Sequence, residues 1–258
     1  MNKNLKLYNN EKTIEKYSKQ NYILKPEKKI IEIIKRNKSN NTMLDIGVGA
    51  GRTTDQFLGV FKNYIGIDYA QEMIMFCKKK YKDFKNIKFN NEDARNLESI
   101  NSNSIDFTFF SFNGIDCVNY SDRTKILSEI LRVGKRDSYF AFSTHNFYNI
   151  PLLFKFQTPK NPFKWINEYK RFKGVKKYNS YEKIFSEENY AEVIDGDKNN
   201  FNYKYIYIKP QHQIEVLSKI GFIDIEAFDL IGENININKI DWEKFNEPWI
   251  HFICKINK

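Results

Sequence analysis

Three glycines at alternating positions follow a short apolar stretch that contains an acid. Residues 43–52 read MLDIGVGAGR, and the acid is Asp45. The glycines are Gly47, Gly49 and Gly51. Glycines let a backbone turn tightly and come close to a ligand, because side chains at these positions would block the approach. We therefore expect a loop that binds a flat, polar ligand, with Asp45 available to an ammonium group.

Two common ligand-binding loops do not fit this stretch. A dinucleotide-binding loop would place its third glycine one position later, where Arg52 stands. A phosphate-binding loop would contain Gly-Lys followed by Ser or Thr, and the stretch has no such sequence. The pattern points instead to an amino-acid moiety as the group that the loop and Asp45 bind.

Two further acids follow the next apolar stretches. Asp68 comes directly after the stretch 64–67, and Asp93 follows the stretch 87–89. A carboxylate at the second position can accept hydrogen bonds from both hydroxyls of a ribose, and one at the third can accept from an adenine amino group. The carboxyl ends of parallel strands share one sheet edge, so Asp45, Asp68 and Asp93 are expected to converge there.

Apolar runs and amphipathic segments alternate from residue 43 onward, which predicts a mostly parallel sheet with helices on both faces. The predicted strands are 42–46, 64–67, 87–89, 105–110, 138–142, 201–208, 222–230 and 249–256. The predicted helices are 11–20, 26–37, 52–60, 71–82, 121–133 and 210–220. The alternation stops across residues 144–200, which are rich in aromatic residues, Lys and Asn. We expect an insert there rather than part of the core.

The ordered glycine loop and acids resemble those of the class I S-adenosylmethionine-dependent methyltransferases. The likeness covers residues 43–146 well and the last helix and two strands loosely. It implies one α/β domain with a Rossmann-like sheet of seven strands, in which the last strand, 249–256, lies antiparallel beside the fifth. It divides the chain into an N-terminal helical cap (1–42), a cofactor-binding core (43–146), a substrate insert (147–200) and the rest of the sheet (201–258). The cap and the insert are expected to form a lid.

The resemblance also implies S-adenosylmethionine as the cofactor and an enzyme as the function. The cofactor-binding residues that it implies are Asp45, Gly47, Gly49, Gly51, Arg52, Asp68, Tyr69, Met73, Asp93, Ala94, Ser111 and Phe112. Two interpretations of Arg52 stay open, an ion pair with the cofactor carboxylate and a position in solvent. The acids and glycines also have a purely structural interpretation, as helix caps and turns, which we regard as the weaker one.

Methyl transfer is an in-line displacement, so the enzyme holds the nucleophile close to the methyl carbon and removes its proton where needed. His145, just beyond the fifth predicted strand, is the candidate general base, because an imidazole pKa near 6.5 suits proton removal at neutral pH. The candidate substrate contacts are Asn113, Asp116, Tyr120 and Asn146. The side chains of Asn113 and Asp116 equally suit bonds within their own loop. No metal site is expected, because the histidines are scattered and the cysteines form no Cys-x-x-Cys pair.

The positive charge is concentrated in two segments. The chain has 42 Lys and Arg against 32 Asp and Glu, and residues 1–42 and 151–183 contribute +7 each. Aromatic residues alternate with the lysines of the second segment. Such a segment is typical of a basic groove that binds RNA, and also of a packed lid with solvated lysines, which is the interpretation we prefer. Since both segments are expected to cover the site, we predict a small anionic acceptor.

Residues 111–116 and 142–146 look most like bacterial small-molecule methyltransferases, including those of capsule and surface-polysaccharide pathways. The leading prediction is therefore O-methylation of a phosphorylated, phosphoramidate or sugar acceptor, with RNA or protein methylation as the alternative. We expect a cytoplasmic protein without a membrane partner, because no apolar run approaches the roughly 20 residues of a spanning helix. Nucleic acid is the less favoured partner, and the sequence leaves the oligomeric state open.

Overall fold

A mixed sheet of ten strands runs through the part of the protein that the computed structural model describes, residues 9–20, 22–36, 41–196, 201 and 203–258. The strands are β1 (Thr42–Ile46), β2 (Asn63–Asp68), β3 (Ile87–Asn91), β4 (Ile105–Phe110), β5 (Gly134–Asn146), β6 (Tyr190–Val193), β7 (Tyr205–Ile208), β8 (Phe222–Phe228), β9 (Asn234–Ile235) and β10 (Trp249–Ile256). Their order is β3-β2-β1-β4-β5-β10-β8-β9, and β7 joins β5 while β6 joins β7. Asn37 and Asn202, which belong to predicted elements, lie outside the described residues.

The predicted parallel core is confirmed, and so is the antiparallel last strand. β2, β1, β4 and β5 pair in parallel, and β10 lies antiparallel between β5 and β8. The predicted number of seven strands is wrong, because the sheet also contains β6, β7 and β9. β5 continues beyond its pairing with β4, and its last residues His145 and Asn146 pair instead with Tyr207 and Ile208 of β7. Backbone groups that would otherwise lack partners therefore bind the returning insert.

Nine α-helices accompany the sheet in the described part of the chain. They are α1 (Glu11–Ser18), α2 (Lys25–Lys35), α3 (Thr54–Phe57), α4 (Gln71–Lys80), α5 (Tyr120–Val133), α6 (Ile150–Leu153), α7 (Trp165–Tyr178), α8 (Tyr181–Phe185) and α9 (Pro210–Ile220). Adjacent residues of β1 belong to different core clusters, since Met43 packs with α2 and α4 whereas Leu44 packs with α5 and α9. This alternation is what a strand covered on both faces requires.

Two helical predictions differ from the structure. The helix expected over 52–60 is only the single turn α3, because Gly51 and Gly59, with φ of 77° and 76°, stop the helix on either side. Residues 144–200 lack a clear sequence period, yet they contain α6, α7, α8 and β6. These elements bury a small cluster of their own, in which Phe147, Ile150 and Ile184 pack together. None of the described helices is long and apolar enough to cross a bilayer.

Candidate active site

A cavity of about 160 Å³ opens at the carboxyl ends of β1 to β4. Nine of the predicted cofactor-binding residues line it, namely Gly47, Gly49, Asp68, Tyr69, Met73, Asp93, Ala94, Ser111 and Phe112. Tyr17 of α1 lines it as well, and this residue was missed because α1 carries no motif that marks a site. Three predicted residues, Asp45, Gly51 and Arg52, are not part of the lining.

Two glycines of the loop differ in what an added side chain would meet. At Gly49, where φ is 54°, an added Cβ would find no protein atom nearer than 4.0 Å and would occupy the cavity space. At Gly51, where φ is 77°, an added Cβ would lie 2.9 Å from the Tyr81 ring. Gly49 therefore leaves room for a ligand, whereas Gly51 leaves room for Tyr81.

Asp45 lies fully buried behind the loop. Its Oδ2 accepts hydrogen bonds from the Tyr64 hydroxyl at 2.6 Å and from Thr53 Oγ1 at 2.8 Å. Its Oδ1 has no hydrogen-bond partner within the described part of the chain. Burial raises the pKa of Asp45 to about 6, so at neutral pH it holds a negative charge with one oxygen left for a donor.

Asp68 connects the glycine loop to the start of α4. Its Oδ2 accepts from the Gly49 backbone N–H and its Oδ1 from the Ala70 N–H, both at 2.9 Å. Burial raises the pKa of Asp68 to about 6 despite these two bonds. Each carboxylate oxygen retains a second lone pair, so Asp68 can still accept from the two hydroxyls of a ribose.

Asp93 lies at a more open part of the cavity wall, beside a cation that the sequence prediction missed. Arg95 binds both carboxylate oxygens of Asp93, at 2.6 Å for the shortest contact, and also contacts Asp122 of α5 at 2.8 Å. Burial raises the pKa of Asp93, but the hydrogen bonds from Arg95 outweigh this effect and the pKa is lowered overall. The sequence does carry a signal for this ion pair, because Asp93 and Arg95 stand two residues apart in Asp-Ala-Arg.

Arg52 is neither free for a cofactor carboxylate nor exposed to solvent. Its guanidinium binds both carboxylate oxygens of Glu27 on α2, at 2.5 and 2.7 Å, and lies over the Phe112 ring at 5.2 Å. The side chains of Arg52 and Glu27 are 9% and 1% exposed. Both interpretations of Arg52 from sequence are therefore corrected. Arg52 joins α2 to the glycine loop, and it also contacts Phe112, which is part of the cavity wall.

His145 and Asp116 form a buried pair at the end of β5. The Nδ1 atom of His145 lies 2.8 Å from Asp116 Oδ2, which also accepts from the His145 backbone N–H at 2.7 Å. Arg123 of α5 pairs with the other carboxylate oxygen, and Thr144 Oγ1 donates to it at 2.8 Å. A carboxylate that accepts from Nδ1–H leaves the lone pair of the neutral imidazole on Nε2, the form that a general base needs.

The pair lies next to the cavity without lining it. Asp116 and Cys117 belong to one 3-10 turn, and Cys117 is part of the cavity wall. The His145 ring stacks on Tyr207 at 4.7 Å and meets the Trp249 ring edge-on at 6.1 Å, and Trp249 in turn contacts Phe112 at 5.0 Å. One aromatic ring, that of Trp249, therefore separates His145 from the wall residue Phe112.

Three of the four predicted substrate contacts are engaged by the protein itself. Asp116 holds His145 and Arg123, as described above. The Asn146 amide donates to the carbonyls of Phe245 and Glu247 at 2.7 and 2.9 Å, and its oxygen accepts from the Tyr148 N–H. Asn146 is fully buried, so it fixes the chain before β10 instead of contacting a substrate.

Tyr120 and Asn113 complete the set. Tyr120 lies with its hydroxyl 2.7 Å from His212 Nε2 and its ring 4.1 Å from that of Tyr190, so it ties α5 to α9 and β6. Asn113 has a left-handed backbone, with φ of 56°, and is 2% exposed. Neither its amide nitrogen nor its amide oxygen has a partner among the residues that the structure describes. Of the four, Asn113 alone has a side chain without a hydrogen-bond partner in the described part of the chain, and it lies beneath the wall residues Phe112 and Gly114 without lining the cavity.

Sequence reasoning missed the role of Arg123. It is 2% exposed and lies on the apolar face of α5, where it contacts Asp116, Thr144 and Gln213 of α9. The signal was present in the sequence, since Arg123 falls on the apolar side of the predicted helix 121–133, where a charge requires a partner. The described residues contain no cluster of His, Cys, Asp and Glu able to hold a metal ion.

Comparison with known proteins gives one family and several relatives. Residues 44–142 match the family of methyltransferase domains. The uncharacterized protein MJ1252 of Methanocaldococcus jannaschii is 26% identical over 251 residues, which cover 96% of this chain and 86% of that protein. The probable S-adenosylmethionine-dependent methyltransferase CRG1 of Saccharomyces cerevisiae is 27% identical over 115 residues, 43% of this chain and 38% of that protein.

Solved structures share the fold. An S-adenosylmethionine-dependent methyltransferase from Clostridium acetobutylicum superposes with a TM-score of 0.60 at 16% identity, over 91% of this chain and 92% of that one. The matched family range runs from β1 to within β5, and so includes the glycine loop, Asp68 and Asp93.

Proposed function

We propose that this protein, whose residues 44–142 match the family of methyltransferase domains, is a class I S-adenosylmethionine-dependent methyltransferase that transfers a methyl group to a hydroxyl oxygen of a small anionic acceptor. The observation that carries the reaction type is the contact of 2.8 Å between His145 Nδ1 and Asp116. A hydroxyl is a poor nucleophile until its proton is removed, and this pair supplies a base with its lone pair on Nε2.

The residues that would hold the cofactor fit its groups. S-adenosylmethionine supplies an electrophilic methyl on a sulfonium, and its other polar groups are an ammonium, a ribose and an adenine. Asp68 suits the ribose hydroxyls, and Asp93 with Ala94 suits the adenine. Asp45, whose Oδ1 has no partner among the described residues, lies behind the glycine loop and attracts the ammonium from there without lining the cavity. Gly49 leaves space beside them that a side chain would fill.

In the proposed reaction, the protein positions the acceptor and removes its proton. The acceptor hydroxyl approaches Nε2 of His145, on the far side of the Trp249 ring from Phe112. S-adenosylmethionine, when bound, would supply the methyl group and leave as S-adenosylhomocysteine, and Nε2 of His145 would take the proton of the acceptor hydroxyl. Asp116 accepts from Nδ1–H of the resulting imidazolium, and Arg123 contacts the other carboxylate oxygen of Asp116.

The charge and pathway of the acceptor are the finer parts of the proposal. The charge rests on the positive segments 1–42 and 151–183, which flank a cofactor-binding core without excess charge. A capsule or surface-polysaccharide pathway rests on the likeness of residues 111–116 and 142–146 to small-molecule methyltransferases. RNA or protein is the second candidate acceptor, and the positive segment 151–183 favours it as well.

Transfer of labelled methyl from S-adenosylmethionine to a panel of phosphorylated sugars, with bulk RNA as a second substrate, tests the proposal. We expect transfer to a member of the sugar panel, and we expect His145→Ala to lower kcat about 100-fold because the base is lost. The same variant should bind S-adenosylhomocysteine as the unmodified protein does, whereas Asp68→Ala should bind it far more weakly.

Each part of the proposal has its own contradicting result. Absence of S-adenosylhomocysteine binding by the unmodified protein in calorimetry would remove the assignment of the cofactor site. An unchanged kcat in His145→Ala would remove His145 from the role of base. Transfer to RNA alone would replace the small acceptor with the second candidate.

A further inference from the structure

Large apolar side chains are exposed to an unusual extent in the segment 156–178. Thirteen large apolar side chains are exposed in the described part of the chain, and six of them lie in this segment. The six are Phe156, Phe163, Trp165, Ile166, Tyr169 and Tyr178. Phe163 is 92% exposed and Ile166 is 68% exposed, the two highest values of the thirteen. A concentration of this kind marks an interaction surface more often than scattered exposed residues do.

The exposed side of α7 carries a group of apolar side chains at its N-terminal end and a group of lysines along its later turns. One side of the helix faces the protein, where Gly174 and Val175 are buried and the Phe201 ring packs on Gly174. The opposite side is exposed. At its N-terminal end lies the α7 tip, formed by Phe163, Trp165, Ile166 and Tyr169. Along the following turns lie the α7 lysines, which are Lys170, Lys173, Lys176 and Lys177.

The charge of the α7 lysines is not neutralised by the protein. Residues 155–178 contain eight basic residues and one acid, Glu168, which pairs with Arg171 at 2.6 Å. Within the described ranges, none of the α7 lysines has a carboxylate partner. Three of them lie over aromatic rings, Lys173, Lys176 and Lys177 at 5.7, 4.3 and 5.3 Å from the ring centres. The face therefore offers positive charge next to exposed apolar groups, and its complement is an anionic surface with an apolar interior.

We propose that the α7 tip and the α7 lysines dock the protein on the surface of an anionic lipid bilayer. Phe163, Trp165 and Ile166 enter the headgroup region, and the lysines contact the lipid phosphates beside it. An exposed helix with aromatic and aliphatic residues next to lysines is the usual composition of interfacial helices. Each lysine held near an anionic surface contributes about 1 kcal/mol. From the sequence we expected no membrane partner, because it has no segment that could span a bilayer. Docking on a bilayer surface does not require such a segment.

The geometry favours a bilayer over RNA. Binding of single-stranded RNA relies on ring faces that stack on successive bases along a basic groove. Here four of the six exposed apolar side chains form the α7 tip at one end of the helix, and Ile166 among them has no ring to stack. Phe156 meets Trp165 and Phe172 edge-on at 6.1 and 6.0 Å, so the rings near the tip pack on one another. The rings beneath Lys173, Lys176 and Lys177 are each covered on one face by a lysine, which leaves fewer ring faces for bases to stack on.

Sedimentation of the full chain with lipid vesicles tests the docking surface. One set of vesicles is phosphatidylcholine alone, and the other also contains phosphatidylglycerol. We expect binding to the anionic vesicles only, and loss of that binding at high salt. The double variants Phe163→Ser with Ile166→Ser and Lys173→Glu with Lys177→Glu should each bind at least about tenfold more weakly. The matched controls Met75→Ser and Lys79→Glu, on the exposed side of α4, should bind normally.

Other results would overturn the proposal. Failure to bind anionic vesicles would do so, and so would tip and lysine variants that bind them as well as the controls. RNA is tested in parallel with a labelled oligouridylate. Oligouridylate binding that both double variants abolish, together with absent vesicle binding, would assign the face to RNA. Binding of S-adenosylhomocysteine should be equal in all these variants, so a docking failure is distinguishable from failure of the cofactor site.

Discussion

At the scale of single residues, the candidate cofactor site depends on the absence of a side chain at Gly49. A side chain at this position would enter the cavity, and its backbone has a positive φ of 54°. Gly49→Val should therefore weaken S-adenosylhomocysteine binding by at least about 100-fold, because the side chain occupies ligand space. Calorimetric titration measures this effect directly.

Gly59 provides the matched control for that substitution. It also has a positive φ, of 76°, but an added Cβ there would meet no atom within 4 Å, and it does not line the cavity. Gly59→Val introduces a similar backbone strain without blocking the site, so its binding constant should stay close to that of the unmodified protein. Equal losses in the two variants would mean that strain, rather than occupied space, causes the effect.

The sequence could predict residues whose place follows from the strands that carry them. Asp68 and Asp93 follow adjacent parallel strands, so their convergence could be expected without a structure, and both line the cavity. The partner of Arg52 could not be predicted, because Glu27 comes from α2, a separate helix whose packing no local pattern specifies. The engagement of Asn146 by Phe245 and Glu247 has the same cause, a contact between distant parts of the chain.

At the scale of elements, the ion pair between Glu27 and Arg52 fixes α2 against the glycine loop. Removal of one partner leaves the other charge buried and unpaired, so Glu27→Ala should lower the free energy of unfolding by about 3 kcal/mol. Urea denaturation measures this loss. The i,i+4 pair between Glu15 and Lys19 on α1 is the control, with side chains 67% and 72% exposed. Glu15→Ala should leave the urea midpoint unchanged. An unchanged midpoint in Glu27→Ala as well would contradict the role of the Glu27–Arg52 pair in fixing α2.

The elements of the insert resisted prediction for a different reason. Its helices α6 and α8 are short, and its buried residues pack on one another in a small separate cluster instead of forming one regular stripe against the sheet. Helix prediction relies on such a stripe. The regular elements of the core could be placed closely, since α9 and β10 have the bounds that their apolar periods predicted.

At the scale of the whole molecule, the two buried acids Asp45 and Asp68 are expected to make opposite contributions to the pH dependence of cofactor binding and of folding. Burial raises the pKa values of Asp45 and Asp68 to about 6 in the folded protein, from ordinary values near 4. The folded state therefore holds more protons between pH 4 and 6, and the contribution of these groups to stability is lost as pH rises through that range. A ligand that donates to the ionised carboxylates binds better above pH 6.

The dissociation constant of S-adenosylhomocysteine should therefore rise about tenfold or more between pH 7.5 and pH 5. Asp68→Asn cannot ionise, so this variant should bind more weakly at pH 7.5 and show a smaller change with pH. Calorimetry at both pH values measures the two effects. A dissociation constant that is independent of pH in the unmodified protein would show that neither carboxylate titrates in this range.

The pairing of β7 with the last residues of β5 has a consequence for how the protein can change. The chain leaves β5 after Asn146 and passes through β6 and β7, and Ile208 at the end of β7 is the register partner of Asn146. The two ends of the segment 147–207 are thus about 5 Å apart. A segment with adjacent ends can be shortened, lengthened or replaced without rerouting the core, because the cost of closing a loop rises only slowly with its length. The structure thus separates the sheet edge that carries the candidate site from a segment that can be exchanged.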